Sequence, residues 1–171
     1  MIDVALLTPQ GFGQATGRLG EILADAVNTG AGVSFMLPFT AADAKVYWRD
    51  QLPAVETGRK LVFVACEAGV IAGTVTLDMA WAPNQPHRGD ISKMLVHSAF
   101  RRRGVGRLLL SALECEARHR GLTLLTFDTV SDSPADLFYR SLGYQFVGRI
   151  PGYAMSPSGR MDDTSIFYKT L

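Results

Sequence analysis

The chain has little of what builds metal centres and disulfide scaffolds. Among 171 residues there are two cysteines, Cys66 and Cys115, far apart and without a C-x-x-C. The three histidines, His87, His97 and His119, are scattered. No zinc site or cystine framework is expected from that supply, and both thiols are expected to be buried apolar side chains. No apolar run approaches about 20 residues, so no membrane-spanning helix is expected. The first residues lack the basic start and apolar stretch of a signal peptide, which makes the cytoplasm the expected compartment. An excess of one charge is also missing. Seventeen Lys and Arg oppose sixteen Asp and Glu, for a formal net charge of +1. Such a balance gives no bulk attraction to nucleic acid or to an anionic membrane. Internal repeats, low-complexity stretches and domain linkers are absent as well. With 47% hydrophobic residues, the chain reads as one domain over residues 1–171, large enough to bury a core.

What is present is an alternation of strand and helix signals. Residues 3–8 read as a strand, punctuated by Pro9 and Gly11. Leu19, Ile22, Leu23, Ala26 and Val27 recur at helical spacing within residues 14–28, and Gly30 and Gly32 end that helix. Residues 30–39 are apolar but bounded by Gly and Pro, which suits a loop. Its Phe35, Met36 and Phe39 either plug the core or line a pocket. Thr40 caps a second helix over residues 41–55. Residues 60–66 and 70–79 form a hairpin about Gly69, followed by a Pro-rich loop containing Trp81 and by a strand at residues 90–96. A helix with Val105, Leu108, Leu109, Ala112 and Leu113 on one face follows, ending at Gly121. Residues 122–128 read as a strand buried on both faces. Ser133 and Pro134 open a short helix that Gly143 ends. Strands at residues 144–150 and 164–168 close the chain. The order predicts one mixed α/β domain, with a right-handed parallel crossover over residues 90–128.

The most specific feature lies inside that crossover. Met94, Leu95 and Val96 end a strand, and four residues later comes Arg101, Arg102, Arg103, Gly104, Val105, Gly106, which runs directly into a helix. Glycines let a backbone approach a ligand closely. The free N–H groups at a helix start carry the positive end of its dipole, so this junction suits a phosphate or pyrophosphate. It is not a Walker loop, because the G-K-[ST] ending is missing. It is not a dinucleotide fingerprint either, because Leu109 stands where a third glycine is needed.

The stretch K-M-L-V-H-S-A-F-R-R-R-G-V-G-R-L-L (residues 93–109) resembles the first conserved block of the GNAT acetyltransferase superfamily. L-F-Y-R-S-L-G-Y (residues 137–144) is similar to its second, and the closing strand S-I-F-Y-K-T-L also fits. The resemblance implies a GNAT-like fold: a central, mixed, mostly antiparallel sheet with one parallel pair splayed around an acetyl-CoA site, flanked by about four helices. It implies that the backbone of Met94, Leu95 and Val96 pairs with the pantetheine arm, and that the amides from Arg101 to Gly106 hold the pyrophosphate. Acetyl-CoA is then the cosubstrate. The expected partner is a small-molecule amine, with neither nucleic acid nor membrane, and the chain is expected to be a monomer or homodimer.

Acyl transfer to an amine sets its own demands. An alkylamine of pKa about 10 is about one part in a thousand neutral at pH 7, so a base must take its proton. Asp90, early on the strand before the turn, and Asp128, at the end of the next parallel strand, are the candidates. Each also suits a plain structural role, in strand-end solvation or in capping. Tyr139 matches the family's tyrosine that meets the leaving thiolate. Asp132 stands where many members carry an Asn that touches the cofactor arm. Phe35, Met36, Trp81 and Tyr153 are candidate walls of the acceptor pocket. Neither cysteine falls at the expected cleft, which favours direct transfer in a ternary complex without an acyl-enzyme.

Overall fold

A computed structural model describes residues Met1–Leu171. The strands are β1 (Ile2–Leu6), β2 (Lys60–Glu67), β3 (Val70–Met79), β4 (Arg88–Val96), β5 (Leu124–Val130), β6 (Gln145–Met155) and β7 (Met161–Thr170). The helices are α1 (Pro9–Asn28), α2 (Ala41–Asp50), α3 (Leu52–Glu56), α4 (Val105–His119) and α5 (Pro134–Ser141). All seven strands join in one sheet of order β1-β2-β3-β4-β5-β7-β6. Every neighbouring pair is antiparallel except β4 and β5.

The two faces of the sheet carry separate cores. On β2, Leu61, Phe63 and Ala65 pack with α4 residues such as Leu109 and Leu113, whereas Val62 and Val64 pack with α1 residues such as Leu19 and Leu23. This period of two, apolar on both sides, is why the strand reads as an unbroken hydrophobic run. Trp48 of α2 is buried against α1 and donates its indole N–H to the Leu19 carbonyl at 2.9 Å.

Several boundaries differ from the sequence reading. Helix α1 starts at Pro9 because the Thr8 hydroxyl accepts from the Gly11 N–H and proline occupies the first turn. A residue pair read as punctuation is therefore a helix start. The helix expected over residues 41–55 breaks at Gln51 into α2 and α3, since Pro53 has no N–H to give and disfavours helical geometry before it. Strand β5 begins two residues late. Leu122 donates back to the Ala117 carbonyl and Gly121 to Arg118, with Gly121 at a φ of +78°, so Leu122 completes the cap of α4. Strand β6 runs on to Met155 through irregularities near Phe146 and Ile150. Cys66 is only half-buried and Cys115 is exposed, which corrects the expectation of two buried thiols. Cys115 lies on the outer face of α4, away from Leu109, Leu110 and Leu113.

Candidate active site

The site begins where the parallel pairing ends. Strands β4 and β5 are in register only over Arg88–Leu124, Gly89–Leu125 and Asp90–Thr126. Beyond that they part, and a cavity of about 1140 Å³ opens between them. One edge of the end of β4 is used, since Leu95 and Val96 pair with Thr74 and Gly73 of β3. The other edge faces the cavity without a strand partner.

The turn after β4 supplies donors. Arg102 and Gly104 have φ of +64° and +84°. The first backbone bond of α4 runs from the Leu108 N–H to the Gly104 carbonyl. The six successive N–H groups from Arg102 to Arg107 have no acceptor within the chain. At Gly106 a Cβ would come within 3.0 Å of Met94 Cε and 3.2 Å of Phe138 Cζ, so glycine keeps this helix start close to β4. The turn is anchored from behind. Asp25 accepts from the Ser98 N–H at 2.8 Å and the Ser98 hydroxyl at 2.7 Å. Arg101 reaches the Val96 carbonyl at 3.2 Å and the Thr29 hydroxyl at 2.9 Å.

Of the candidate residues, Met94, Leu95, Val96, Arg101, Arg102, Gly104, Val105, Gly106, Asp128, Asp132 and Tyr139 all line this cavity. Asp128 accepts from the Thr164 hydroxyl at 2.7 Å. Asp132 is paired with Arg149 at 2.5 Å. Others are not brought to it. The Arg103 side chain turns away to Glu67, at 2.9 Å. Asp90 lies in the closed part of the β4–β5 pair, before the strands part, with its carboxylate held by Arg88 and the Thr126 hydroxyl. Asp90 is not among the residues that line the cavity. Phe35 stacks on Phe39 and meets Tyr47 edge-on, forming a support behind the wall rather than the wall itself. Met36 is exposed beside it. Trp81 is 87% exposed on the β3–β4 loop, and Tyr153 is exposed on the outermost strand β6. Neither reaches the cavity, because its far wall comes from the turn beyond β6, at Ser156, Pro157 and Ser158.

Lys93 and Arg107 also line the cavity, although neither is among the candidate site residues. Arg107 directly follows the second glycine of the turn, a position that could have marked it. Lys93 gave no local signal. It has a φ of +48° and sits where the β3–β4 register shifts, so a bulge re-aims its side chain.

Burial pushes the Tyr139 hydroxyl above the ordinary tyrosine range. Asp136, on the first turn of α5, is nearly fully buried. Burial acts to raise its pKa, but hydrogen bonds from Arg140, Ser165 and the Asp132 N–H, with the Arg140 charge, outweigh it and hold the carboxyl below the usual range. A depressed folded-state value stabilises the fold above the unfolded value and loses that contribution as pH falls through the folded one. Asp136→Asn should therefore lower the melting temperature at pH 7, with the gap to wild type closing as the pH drops below about 4. Thermal melts at a series of pH values measure this.

No three His, Cys, Asp or Glu side chains gather as a metal-ion cluster. No helix is long and apolar enough to cross a membrane.

A family model described as the acetyltransferase (GNAT) family matches residues 33–144. The chain belongs to that family. It is 32% identical over 106 residues to a protein of Azospirillum brasilense named "uncharacterized N-acetyltransferase in hisH-hisA intergenic region", an alignment covering 61% of each chain. The chain spans 32% and 61% of the length of the curated relatives it matches. Among solved structures, a ribosomal-protein-alanine N-acetyltransferase from Brucella melitensis aligns with a TM-score of 0.80 at 23% identity, over 99% of both chains. The Salmonella typhimurium protein yncA, a putative acetyltransferase solved with its cofactor acetyl-CoA, gives a TM-score of 0.80 at 22% identity, over 99% of this chain and 94% of that one. These two likenesses establish the mixed α/β fold.

Proposed function

We propose that the protein transfers an acetyl group from acetyl-CoA to the primary amine of a small molecule, by direct transfer in a ternary complex. The observation that carries the reading is the set of six unbonded N–H groups from Arg102 to Arg107, at the mouth of a cavity whose other wall is an unpaired strand edge. That combination fits acetyl-CoA. The amides and the Arg102 and Arg107 side chains suit a pyrophosphate, and the free edge of Met94, Leu95 and Val96 suits the amides of a pantetheine arm. When bound, acetyl-CoA supplies an activated acyl carbon.

The chain's own residues do the rest. Asp128 takes the proton from the acceptor ammonium, directly or through water, so that a neutral nitrogen forms the new C–N bond. The Tyr139 hydroxyl, which lines the cavity, donates a hydrogen bond to the sulfur as the C–S bond breaks, and the second proton lost by the nitrogen passes to the departing thiolate. Asp90, held by Arg88 and the Thr126 hydroxyl at the last paired position before the strands part, supports the seam rather than taking the amine's proton.

A small acceptor is supported by the roof of the cavity. The Leu37 N–H, on the loop between α1 and α2, donates to the Pro157 carbonyl on the β6–β7 turn at 3.0 Å. This bridge spans the cavity between the two loops and supports a small acceptor over a protein N-terminus. The stretches around residues 30–36 and 151–171 also resemble the tabtoxin resistance protein, which supports an amino-acid-like toxin or antibiotic as the acceptor. The residues used here have no extracellular requirement, and the cytoplasm remains the proposed site of action.

Calorimetric titration with acetyl-CoA tests the first half of the reading. Micromolar binding is expected, and no binding by folded protein overturns it. Thiol release from acetyl-CoA across a library of small amines and of peptides with free N-termini tests the second half. Turnover confined to peptides would replace the small-molecule reading.

A further inference from the structure

The β4 wall of the cavity carries a lysine, Lys93, that forms no ion pair with any carboxylate of the chain. Lys93 extends from the bulge of β4 to the face opposite its neighbour. Met94 packs toward Gly106 and Phe138, on the phosphate side. Lys93 instead places its ammonium 5.6 Å from the Phe35 ring centre and 5.4 Å from that of Tyr47. It forms no ion pair, like Arg102 and Arg107 of the turn on the other side of the cavity, whereas Lys60 is bound to Asp78 at 2.5 Å, Arg88 to Asp90, Arg101 to Asp25 at 3.7 Å and Arg160 to Asp162 at 2.8 Å. Asp78 is taken up by Lys60 and by the Ser92 hydroxyl, and Asp128 by the Thr164 hydroxyl. Tyr47 is pushed up to about 12 by burial and by Asp78, so it adds no charge.

A half-buried ammonium left without a counter-ion is unfavourable unless a ligand completes it. Aromatic faces offset part of that cost and hold the group in place. The positive φ at Lys93 adds backbone strain, of the kind that gathers at functional positions. Burial and the Lys60 charge lower the Lys93 ammonium, while Asp78 and Asp128 pull it back. An arriving anion would favour its charged form.

Resting on the acetyltransferase reading above, we propose that Lys93 selects an acceptor that carries a carboxylate beside its amine. The carboxylate of such a molecule meets Lys93 while its ammonium lies toward Asp128. Lys93 is then a specificity-determining residue, and the substrate class narrows to amino acids and their derivatives. The near-neutral charge of the whole chain hides this preference, because it is set by one side chain.

The test compares the standard amino acids, each beside its C-terminal amide and its decarboxylated amine, as acceptors for wild type, Lys93→Met and Lys93→Arg. An α-amine next to an amide loses its proton more easily than that of the free acid, so chemistry alone favours the amide. The expected result is a kcat/KM about 10–100-fold higher for the acid in wild type. That preference is largely lost in Lys93→Met and partly kept in Lys93→Arg, with acetyl-CoA affinity unchanged in both. Equal use of acid and amide by wild type overturns the proposal, as does a preference that survives in Lys93→Met. Acetylation of Lys93 itself, seen by peptide mass spectrometry, also overturns it, since the residue would then be an acceptor. If acetyl-CoA binds but no amino acid is turned over, the carboxylate class is wrong and the acetyltransferase reading stands. If acetyl-CoA does not bind, both fall.

Discussion

Asp128→Asn is expected to lower kcat by about 10²–10⁴-fold with a small effect on acetyl-CoA affinity, the range removed with a positioned general base. Asn preserves the size of the side chain and can still accept from the Thr164 hydroxyl, a bond of 2.7 Å in the wild type. The position is exposed, so little stability is at stake. The loss should shrink as the pH rises, because more of the acceptor amine is already neutral. Rate–pH profiles for the two proteins, with an amine whose own pKa is known, measure this directly. Asp90→Asn is the informative partner. Asp90 is held by Arg88 and Thr126 in the closed part of the strand pair, so its loss should be about tenfold or less. Full activity in Asp128→Asn would remove this residue from the mechanism.

Gly106→Glu is expected to abolish measurable acetyl-CoA binding. The side chain must displace Met94 Cε and the Phe138 ring, and it brings a negative charge into the ring of unbonded N–H groups. Hydrogen bonds to charged groups contribute about 1.5–3 kcal/mol each, so losing two corresponds to roughly 10²–10⁴-fold in affinity. Because the crowding also threatens the start of α4, Arg102→Ala serves as the gentler variant. Arg102 lines the cavity and makes no ion pair, and its loss should weaken binding about tenfold without lowering the melting temperature. Titration calorimetry, with circular dichroism as the folding control, separates the two effects.

The phosphate-type turn was readable because it is local. A strand, two glycines and an amphipathic helix stand within some fifteen residues, and each signal has its own physical cause. Gly104 and Gly106 could be assigned there before any fold was known, and the structure places both at the cavity. Asp90 and Asp128 show the limit. Both sit on strands of a parallel pair, and which one reaches the opening depends on where the pairing stops, at Asp90–Thr126. That is a register between segments some 36 residues apart, and no local pattern encodes it. Trp81 and Tyr153 were offered as pocket walls for their aromatic character alone, yet both stand exposed outside it. Lys93 was passed over for the opposite reason. Within a strand it reads as one more surface lysine, and only the bulge turns it inward.

The short β4–β5 seam has a mechanical meaning as well. Three residue pairs are all that link the half-sheet β1–β4 to the half-sheet β5–β7 at this point. A molecule lying in the wedge would touch the edge of one half and the Asp128 strand of the other, acting as a clasp across the shortest strand pairing of the sheet. Filling the wedge should therefore tie the two halves into a single cooperative unit, and opening of the seam should govern how quickly the occupant escapes.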